Sequence, residues 1–145
     1  MGIFEGSLTD RVAKVLRKLG SIHAMVVHGY DGLDEVSTTA STKISHLKED
    51  STIESTAISP SEFGIEKADL KELQGGEPKQ NAYIIMDILK GTDTGKKADI
   101  VALNAGAGIF VGGKAASFKE GVLLARESIV SGAALEKLQL LVDVQ

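Results

Sequence analysis

The stretch that decides the fold of this chain reads Val26-Val27-His28-Gly29-Tyr30-Asp31-Gly32-Leu33-Asp34-Glu35. Residues 24–27 are apolar without alternation, which is typical of a strand buried on both faces. Gly29 and Gly32 tolerate the backbone conformations of a tight turn, so a loop should follow the strand directly. The pattern therefore predicts an α/β protein in which Asp34 and Glu35 project from a loop above a sheet.

The adjacent carboxylates of Asp34 and Glu35 have the chemistry of a site for a hard cation. Ligands commonly bind at loops outside the carboxyl ends of strands in α/β proteins. Mg²⁺ prefers one or two acidic ligands and completes its coordination with water and substrate phosphates. Asp34 and Glu35 are therefore candidate ligands of a Mg²⁺ cofactor, and Asp31 and Gly32 are expected to shape the loop. Adjacent acids in a glycine turn are also common on solvated surfaces, so an ordinary surface turn is the alternative.

The length and composition of the chain indicate one domain and exclude several classes of function. Of the 145 residues 43% are hydrophobic, so we expect a single α/β domain over residues 1–145, with a short central sheet flanked by helices. The net charge of −4 argues against a nucleic-acid or anionic-membrane partner. Cysteine is absent, which excludes disulfides, thiolate zinc sites and cysteine nucleophiles. This composition is compatible with a cytoplasmic protein, which is the location that we expect.

Local patterns predict a helix before the acidic loop and two strands after it. The helix would be capped by Ser7 or Thr9 and ended by Gly20. Its apolar face consists of Leu8, Val12, Val15, Leu16 and Leu19. The Ser- and Thr-rich stretch that follows the loop predicts two edge strands, over roughly 41–48 and 52–59.

The rest of the chain is mainly helical by pattern. One helix is predicted from Pro78 to Gly91. Residues 98–112 fit either a strand or a helix. Ser117 and Glu120 form a capping-box pattern at the start of a further helix. The apolar residues of a last helix are Leu135, Leu138 and Leu141.

The histidines and glycine-rich segments indicate no further catalytic chemistry. His23, His28 and His46 lack the spacing of a helical zinc pair and have no evident serine partner. We expect His28, at the end of the buried strand, to be a hydrogen-bonded structural residue. Residues 108–114 have phosphate-loop spacing, but Ala115 stands where a hydroxyl would have to bind Mg²⁺.

The acidic loop belongs to a longer pattern, Val-Val-His-Gly-x-Asp-Gly-Leu-Asp-Glu-Val-Ser. The other segments that carry a family likeness are Met1-Gly2-Ile3-Phe4, Val15-Leu16-Arg17-Lys18-Leu19-Gly20, Ile58-Ser59-Pro60-Ser61-Glu62-Phe63-Gly64, Leu73-Gln74-Gly75-Gly76-Glu77, Asn81-Ala82, Leu103-Asn104-Ala105-Gly106-Ala107, Phe118-Lys119-Glu120-Gly121 and Ser131-Gly132-Ala133-Ala134-Leu135. Together these segments resemble the anthranilate phosphoribosyltransferase family over essentially the whole chain. The resemblance favours a helix for residues 98–112.

The resemblance is to the C-terminal portion of that family, and it implies a fragment-like part of the family's α/β domain. It implies a glycosyltransferase of tryptophan biosynthesis, which transfers phosphoribosyl from phosphoribosyl pyrophosphate to the nitrogen of anthranilate. In the intact enzyme Asp34 and Glu35 would hold a second Mg²⁺, directly or through water. The resemblance assigns no general base and no other catalytic residue to this chain.

Several motifs of the family are absent from this sequence. They are a Gly-Thr-Gly-Gly-Asp phosphate loop, a Lys-His-Gly-Asn-Arg segment and the residues that hold anthranilate. We therefore expect the chain alone to be inactive, to require a missing N-terminal segment or a partner chain, and to self-associate as a homo-oligomer through the surfaces such a segment would cover. The alternatives are a non-enzymatic stand-alone module and a subunit of a split phosphoribosyltransferase. The sequence motif Gly-Leu-Asp-Glu argues against membership of the related nucleoside phosphorylases.

Overall fold

The computed structural model describes residues 1–144 of the chain. Its sheet consists of the antiparallel strands β1 (Ala24–Gly29), β2 (Thr42–Leu47) and β3 (Ile53–Ile58), in that order. Ala24 lies opposite Leu47, which in turn lies opposite Ile53. All three strands were predicted, but the edge position expected for β2 is wrong, because β2 lies between β1 and β3. The α/β class is confirmed.

The N-terminal residues extend the hydrogen bonding of β1 on the side away from β2. Gly2 forms a parallel bridge with Val27. The Ile3 amide donates to the Val27 carbonyl at 3.0 Å, and the Val27 amide donates to the Met1 carbonyl at 2.9 Å. β1 is therefore paired along both of its edges.

Residues 1–144 contain six α-helices. They are α1 (Thr9–Lys18), α2 (Leu70–Leu73), α3 (Pro78–Leu89), α4 (Lys96–Val111), α5 (Phe118–Val130) and α6 (Ala133–Asp143). Of these, α1 and α4 pack directly against the sheet. The ambiguous stretch 98–112 is helical, as the family resemblance favoured. The short α2 was not predicted, because four residues carry too little periodic signal.

The caps of two helices can be compared with the prediction. Ser117 caps α5, since its Oγ accepts from the Glu120 amide at 3.1 Å. The cap predicted for α1 is wrong, because the chain enters that helix through a short 3₁₀ turn whose amide at Ser7 donates to the Glu5 side chain at 3.2 Å. Thr9 instead donates its hydroxyl back to the carbonyl of Gly6 and is fully buried.

The core lies where the sheet, the loop after β1 and helices α4 and α5 meet. Its buried cluster consists of Met25, Val27, Val36, Ile44, Ile65, Leu103 and Val122. Val36 directly follows the two predicted metal ligands and is 1% exposed. The backbone after Glu35 is thus fixed to the core. In the part of the chain that the structure describes, no helix is long and apolar enough to cross a membrane.

Candidate functional site

The loop that carries the acidic residues turns back tightly at the end of β1. The Gly29 amide donates to the Leu33 carbonyl at 2.8 Å, and the Gly32 amide donates to the Gly29 carbonyl at 2.9 Å. Gly32 has a φ of +94°, a conformation that residues with a Cβ rarely adopt. The Tyr30 amide donates to the Ser41 carbonyl at 2.9 Å, which joins the start of the loop to the chain entering β2.

Asp31 holds this turn together from inside. Its Oδ1 accepts from the Leu33 amide at 3.2 Å, and its Oδ2 accepts from the hydroxyls of Ser37, at 2.5 Å, and Thr39. Burial raises the pKa of Asp31, but the hydrogen bonds from Ser37, Thr39 and Leu33 lower it more, so that the net shift is downward. The predicted role of Asp31 in shaping the loop is confirmed.

Asp34 and Glu35 lie side by side on the rim of a cleft and are both exposed. The cleft has a volume of about 570 Å³ and lies between the N-terminal strand, β1 and α4. Its apolar lining includes Met25, Ile100 and Val111. The two predicted ligands are therefore both exposed and both line one largely apolar cleft.

The carboxylates of Asp34 and Glu35 are free to accept a ligand. Within residues 1–144 neither side chain takes part in an ion pair or a hydrogen bond. No group of three or more His, Cys, Asp or Glu residues among the described residues could hold a metal ion. Two hard oxygen ligands fit Mg²⁺, which keeps several waters and takes substrate phosphates as its other ligands. They do not fit a closed four-ligand zinc site.

Asn104 on α4 reaches the same loop and was not identified as a functional residue from the sequence. Its Oδ1 accepts from the Val36 amide and its Nδ2 donates to the Val36 carbonyl, both at 2.9 Å. Nδ2 also donates to the carbonyl of Ile100 at 3.0 Å. The sequence feature that could have indicated a role for Asn104 is its polar side chain among the small and apolar residues of a helix. Asparagine is a poor helix former, so its presence there suggests a specific contact.

The family model of the glycosyl transferase family, a/b domain, matches residues 1–135. The chain belongs to this family. A similar curated relative is the anthranilate phosphoribosyltransferase of Alkaliphilus metalliredigens, which is 47% identical over 99% of this chain. That of Methanocorpusculum labreanum is 46% identical over 98% of this chain. The resemblance seen in the sequence is confirmed.

Solved structures of glycosyl transferase family members share the fold described above. The anthranilate phosphoribosyltransferase of Thermus thermophilus is 38% identical and matches 95% of this chain with a TM-score of 0.86. The Saccharomyces cerevisiae enzyme in complex with PRPP and Mg is 29% identical and matches with a TM-score of 0.83. The chain spans less than half the length of these relatives. It covers 42% of the Alkaliphilus metalliredigens protein, 41% of the Methanocorpusculum labreanum protein and 40% of each of the two solved chains.

The histidines of this family member occupy structural positions. His28 donates from Nδ1 to the Ile3 carbonyl at 3.0 Å, so it is hydrogen bonded as expected. His23 and His46 form a pair whose Nε2 atoms are 2.8 Å apart, with the ring of Phe110 against both. This pair was not predicted, because it joins β2 to the residue before β1 and so has no sequence spacing that would indicate it.

Proposed function

We propose that this chain supplies a magnesium-binding loop to an anthranilate phosphoribosyltransferase, an enzyme of tryptophan biosynthesis. The substrates would be phosphoribosyl pyrophosphate and anthranilate, whose nitrogen displaces pyrophosphate from the ribose. The observation that carries the proposal is the exposed, unpaired carboxylate pair of Asp34 and Glu35 on the rim of the cleft. Relatives with the same fold support it, since yeast structures contain PRPP with Mg, or 4-fluoroanthranilate.

The chemical role of the loop follows from the charge of the leaving group. Negative charge develops on pyrophosphate as it departs, and a bound Mg²⁺ would stabilise that charge. Asp34 and Glu35 would provide its protein ligands, directly or through water. Asp31 would keep the turn rigid, because its carboxylate is already occupied by Ser37, Thr39 and the Leu33 amide. The proposal assigns no general base.

The metal site can be tested on this chain with Mn²⁺, a paramagnetic substitute for Mg²⁺. Electron paramagnetic resonance should show weak binding that the double variant Asp34→Asn/Glu35→Gln abolishes. The matched control is Glu49→Gln/Asp50→Asn, which removes the adjacent exposed acids of the turn between β2 and β3 and the same amount of charge. Equal binding by both double variants would show that Asp34 and Glu35 are ordinary surface acids.

The activity can be tested in a chimera. The matching 40% of the Thermus thermophilus enzyme is replaced by this chain. We expect Mg²⁺-dependent consumption of anthranilate, followed by its fluorescence. Asp34→Ala/Glu35→Ala should lower turnover by roughly a hundredfold or more, because loss of comparable charge stabilisation costs about 3 kcal/mol. Wild-type turnover in that double variant would contradict the metal role.

The chain of 145 residues should show no activity by itself, because its sequence lacks the phosphate loop and the anthranilate-binding residues of the family. Consumption of anthranilate by this chain alone would contradict this expectation. Activity that appears only with a separately expressed N-terminal portion of a relative would favour the split-enzyme alternative.

We also expect a cytoplasmic location and a homo-oligomeric state for this protein. A cytoplasmic location is expected for a biosynthetic enzyme of this kind. Self-association is expected through the sheet edge and the apolar surface that a missing N-terminal segment would cover. A clean monomer in analytical ultracentrifugation at high protein concentration would contradict it.

A further inference from the structure

The carboxamide of Asn104 pairs with both backbone groups of a single residue. It accepts from the amide of Val36 and donates to the carbonyl of Val36, while its second hydrogen goes to the Ile100 carbonyl. The opposite orientation of the amide would place hydrogens against the Val36 amide and an oxygen against two carbonyls. The three contacts therefore determine the orientation of the side chain.

This pairing fixes the backbone next to the proposed metal ligands. Val36 follows Glu35 directly and is almost fully buried. On the other side of the pair, a Cβ on Gly2 would lie only 1.4 Å from the carbonyl oxygen of Asp34, so the N-terminal strand lies directly against that carbonyl. The backbone of the two acidic residues is thus held between the N-terminal strand and α4.

The acidic side chains themselves receive no such support. Neither Asp34 nor Glu35 has a hydrogen-bonded or ionic partner in the described part of the chain. Their direction depends on the backbone that carries them. A residue that holds this backbone can therefore affect how the two carboxylates are placed relative to each other.

We propose that Asn104 is a positioning residue for the Asp34–Glu35 pair. It would hold the peptide after Glu35 so that both carboxylates face the mouth of the cleft before a hydrated divalent cation arrives. The acidic loop would then lose less conformational freedom when the cation binds. Hydrogen bonds to metal ligands from residues outside the coordination sphere have the same effect in other metal sites. This inference rests on the proposed metal site, which the Asp34→Asn/Glu35→Gln variant tests separately.

The alternative is that Asn104 only ties α4 to the loop and contributes to stability. The two roles differ in what happens to the metal. A purely structural role predicts a less stable fold with unchanged affinity for Mn²⁺ in the folded fraction. A positioning role predicts weaker binding in a chain that is still folded.

The test uses the variants Asn104→Ala and Asn104→Ser in the complete chain. The first removes all three hydrogen bonds, and the second has a hydroxyl too short to reach both groups of Val36. Leu103→Val is the matched control, because it perturbs a fully buried neighbour on the same helix and in the same core cluster as Val36 but keeps the three hydrogen bonds of Asn104. Circular dichroism and the amide spectrum confirm that each variant is folded.

The first readout is the broadening of amide resonances by Mn²⁺ in nuclear magnetic resonance spectra. In the wild-type chain we expect broadening centred on residues 33–37. The dissociation constant for Mn²⁺ should rise about tenfold in both Asn104 variants, as is common when a supporting hydrogen bond to a metal site is lost. It should not change in Leu103→Val.

The second readout is hydrogen exchange at the Val36 amide, which needs no metal. Exchange should accelerate selectively at residues 34–36 in the Asn104 variants and not in the control. Folded Asn104 variants with wild-type affinity would overturn the positioning role alone. A wild-type chain without broadening at this loop would overturn the metal site and the positioning role together.

Discussion

A Cβ placed on Gly121 would lie 2.3 Å from the carbonyl oxygen of Gly106, so helices α4 and α5 meet backbone to backbone. A Cβ on Gly106 would in turn lie 2.6 Å from the backbone of Val122. Such an approach leaves no room for any side chain. It fixes α4 against α5, and α4 is the helix from which Asn104 reaches the acidic loop.

The close contact between α4 and α5 predicts opposite effects for two alanine substitutions in one helix. Gly106→Ala should destabilise the protein by about 1–3 kcal/mol, because the methyl group overpacks a fixed backbone contact. Gly108→Ala should stabilise it by about 0.5–1 kcal/mol, because nothing lies within 4 Å of its Cβ position and alanine favours the helix. Urea denaturation measures both. Similar effects of the two substitutions would contradict the close approach.

The hydrogen bonds of Asp31 predict a pH-dependent effect of Asp31→Asn. The folded pKa of Asp31 is lowered, so its contribution is present above the unfolded pKa of about 3.9 and is lost as the pH falls through the folded value. At pH 7 the substitution should cost about 1.5–3 kcal/mol, the usual range for hydrogen bonds to a charged group.

The difference between Asp31→Asn and the wild-type protein should therefore shrink in acid. Urea denaturation at neutral pH and near the acid limit of folding measures it. A difference that stays constant over this range would mean that the hydroxyls of Ser37 and Thr39 do not depend on the charge of Asp31.

The elements of this fold could largely be predicted, whereas their pairing could not. β1 and α5 have strong local signals, in the continuous apolar run before Gly29 and in the cap at Ser117. The central position of β2 depends on which strand edges meet, and no local pattern records that. The acidic pair could be proposed from the sequence because Asp34 and Glu35 are adjacent in it. The contact of Asn104 with Val36 could not, because Val36 lies 68 residues away.

The contact between His46 and His23 disfavours protonation of His46. Only one hydrogen fits between the two Nε2 atoms, which are 2.8 Å apart. Nδ1 of His23 is buried without a hydrogen-bond partner among the described residues. If His46 is protonated while the contact holds, its Nε2 hydrogen is donated to Nε2 of His23, and Nδ1 of His23 must then carry the hydrogen of that ring. Leaving such a donor unpaired costs about 1–3 kcal/mol.

This pair predicts a loss of stability in mild acid. Burial, followed by the charges of His23 and Lys48, lowers the pKa of His46 against an opposing effect of Glu54. The unfolded chain, with a histidine pKa of about 6.5, therefore binds the proton more readily. The contribution of His46 to the free energy of unfolding should be complete above the unfolded pKa of about 6.5. It should be lost progressively as the pH falls from about 7 towards the lower pKa of the folded protein.

Two variants check the assignment of this pH dependence. His46→Gln should flatten the dependence between about pH 5 and 7, because it removes the titrating ring. Glu54→Gln should steepen it, because it removes the carboxylate that raises the pKa of His46. The free energy of unfolding is measured at several pH values. If His46→Gln retains the wild-type slope, the pair is not its source.

The free energy of unfolding should distinguish Asp34 and Glu35 from Asn104, the residue proposed to position them. Asp34→Ala/Glu35→Ala should change the free energy of unfolding by no more than about 0.5 kcal/mol without metal, because both side chains are exposed and have no partner in residues 1–144. Removing two adjacent like charges can even raise stability slightly.

Asn104→Ala should by contrast cost about 1–3 kcal/mol, because it leaves the buried Val36 amide and carbonyl without their partners. Thermal and urea denaturation of the two variants, with and without excess Mg²⁺, measure the difference. Added Mg²⁺ should stabilise the wild-type chain slightly and the acidic-pair variant not at all, since only a folded chain with both carboxylates binds it. A large loss of stability in the acidic-pair variant without metal would show that these carboxylates serve the fold and are not reserved for a ligand.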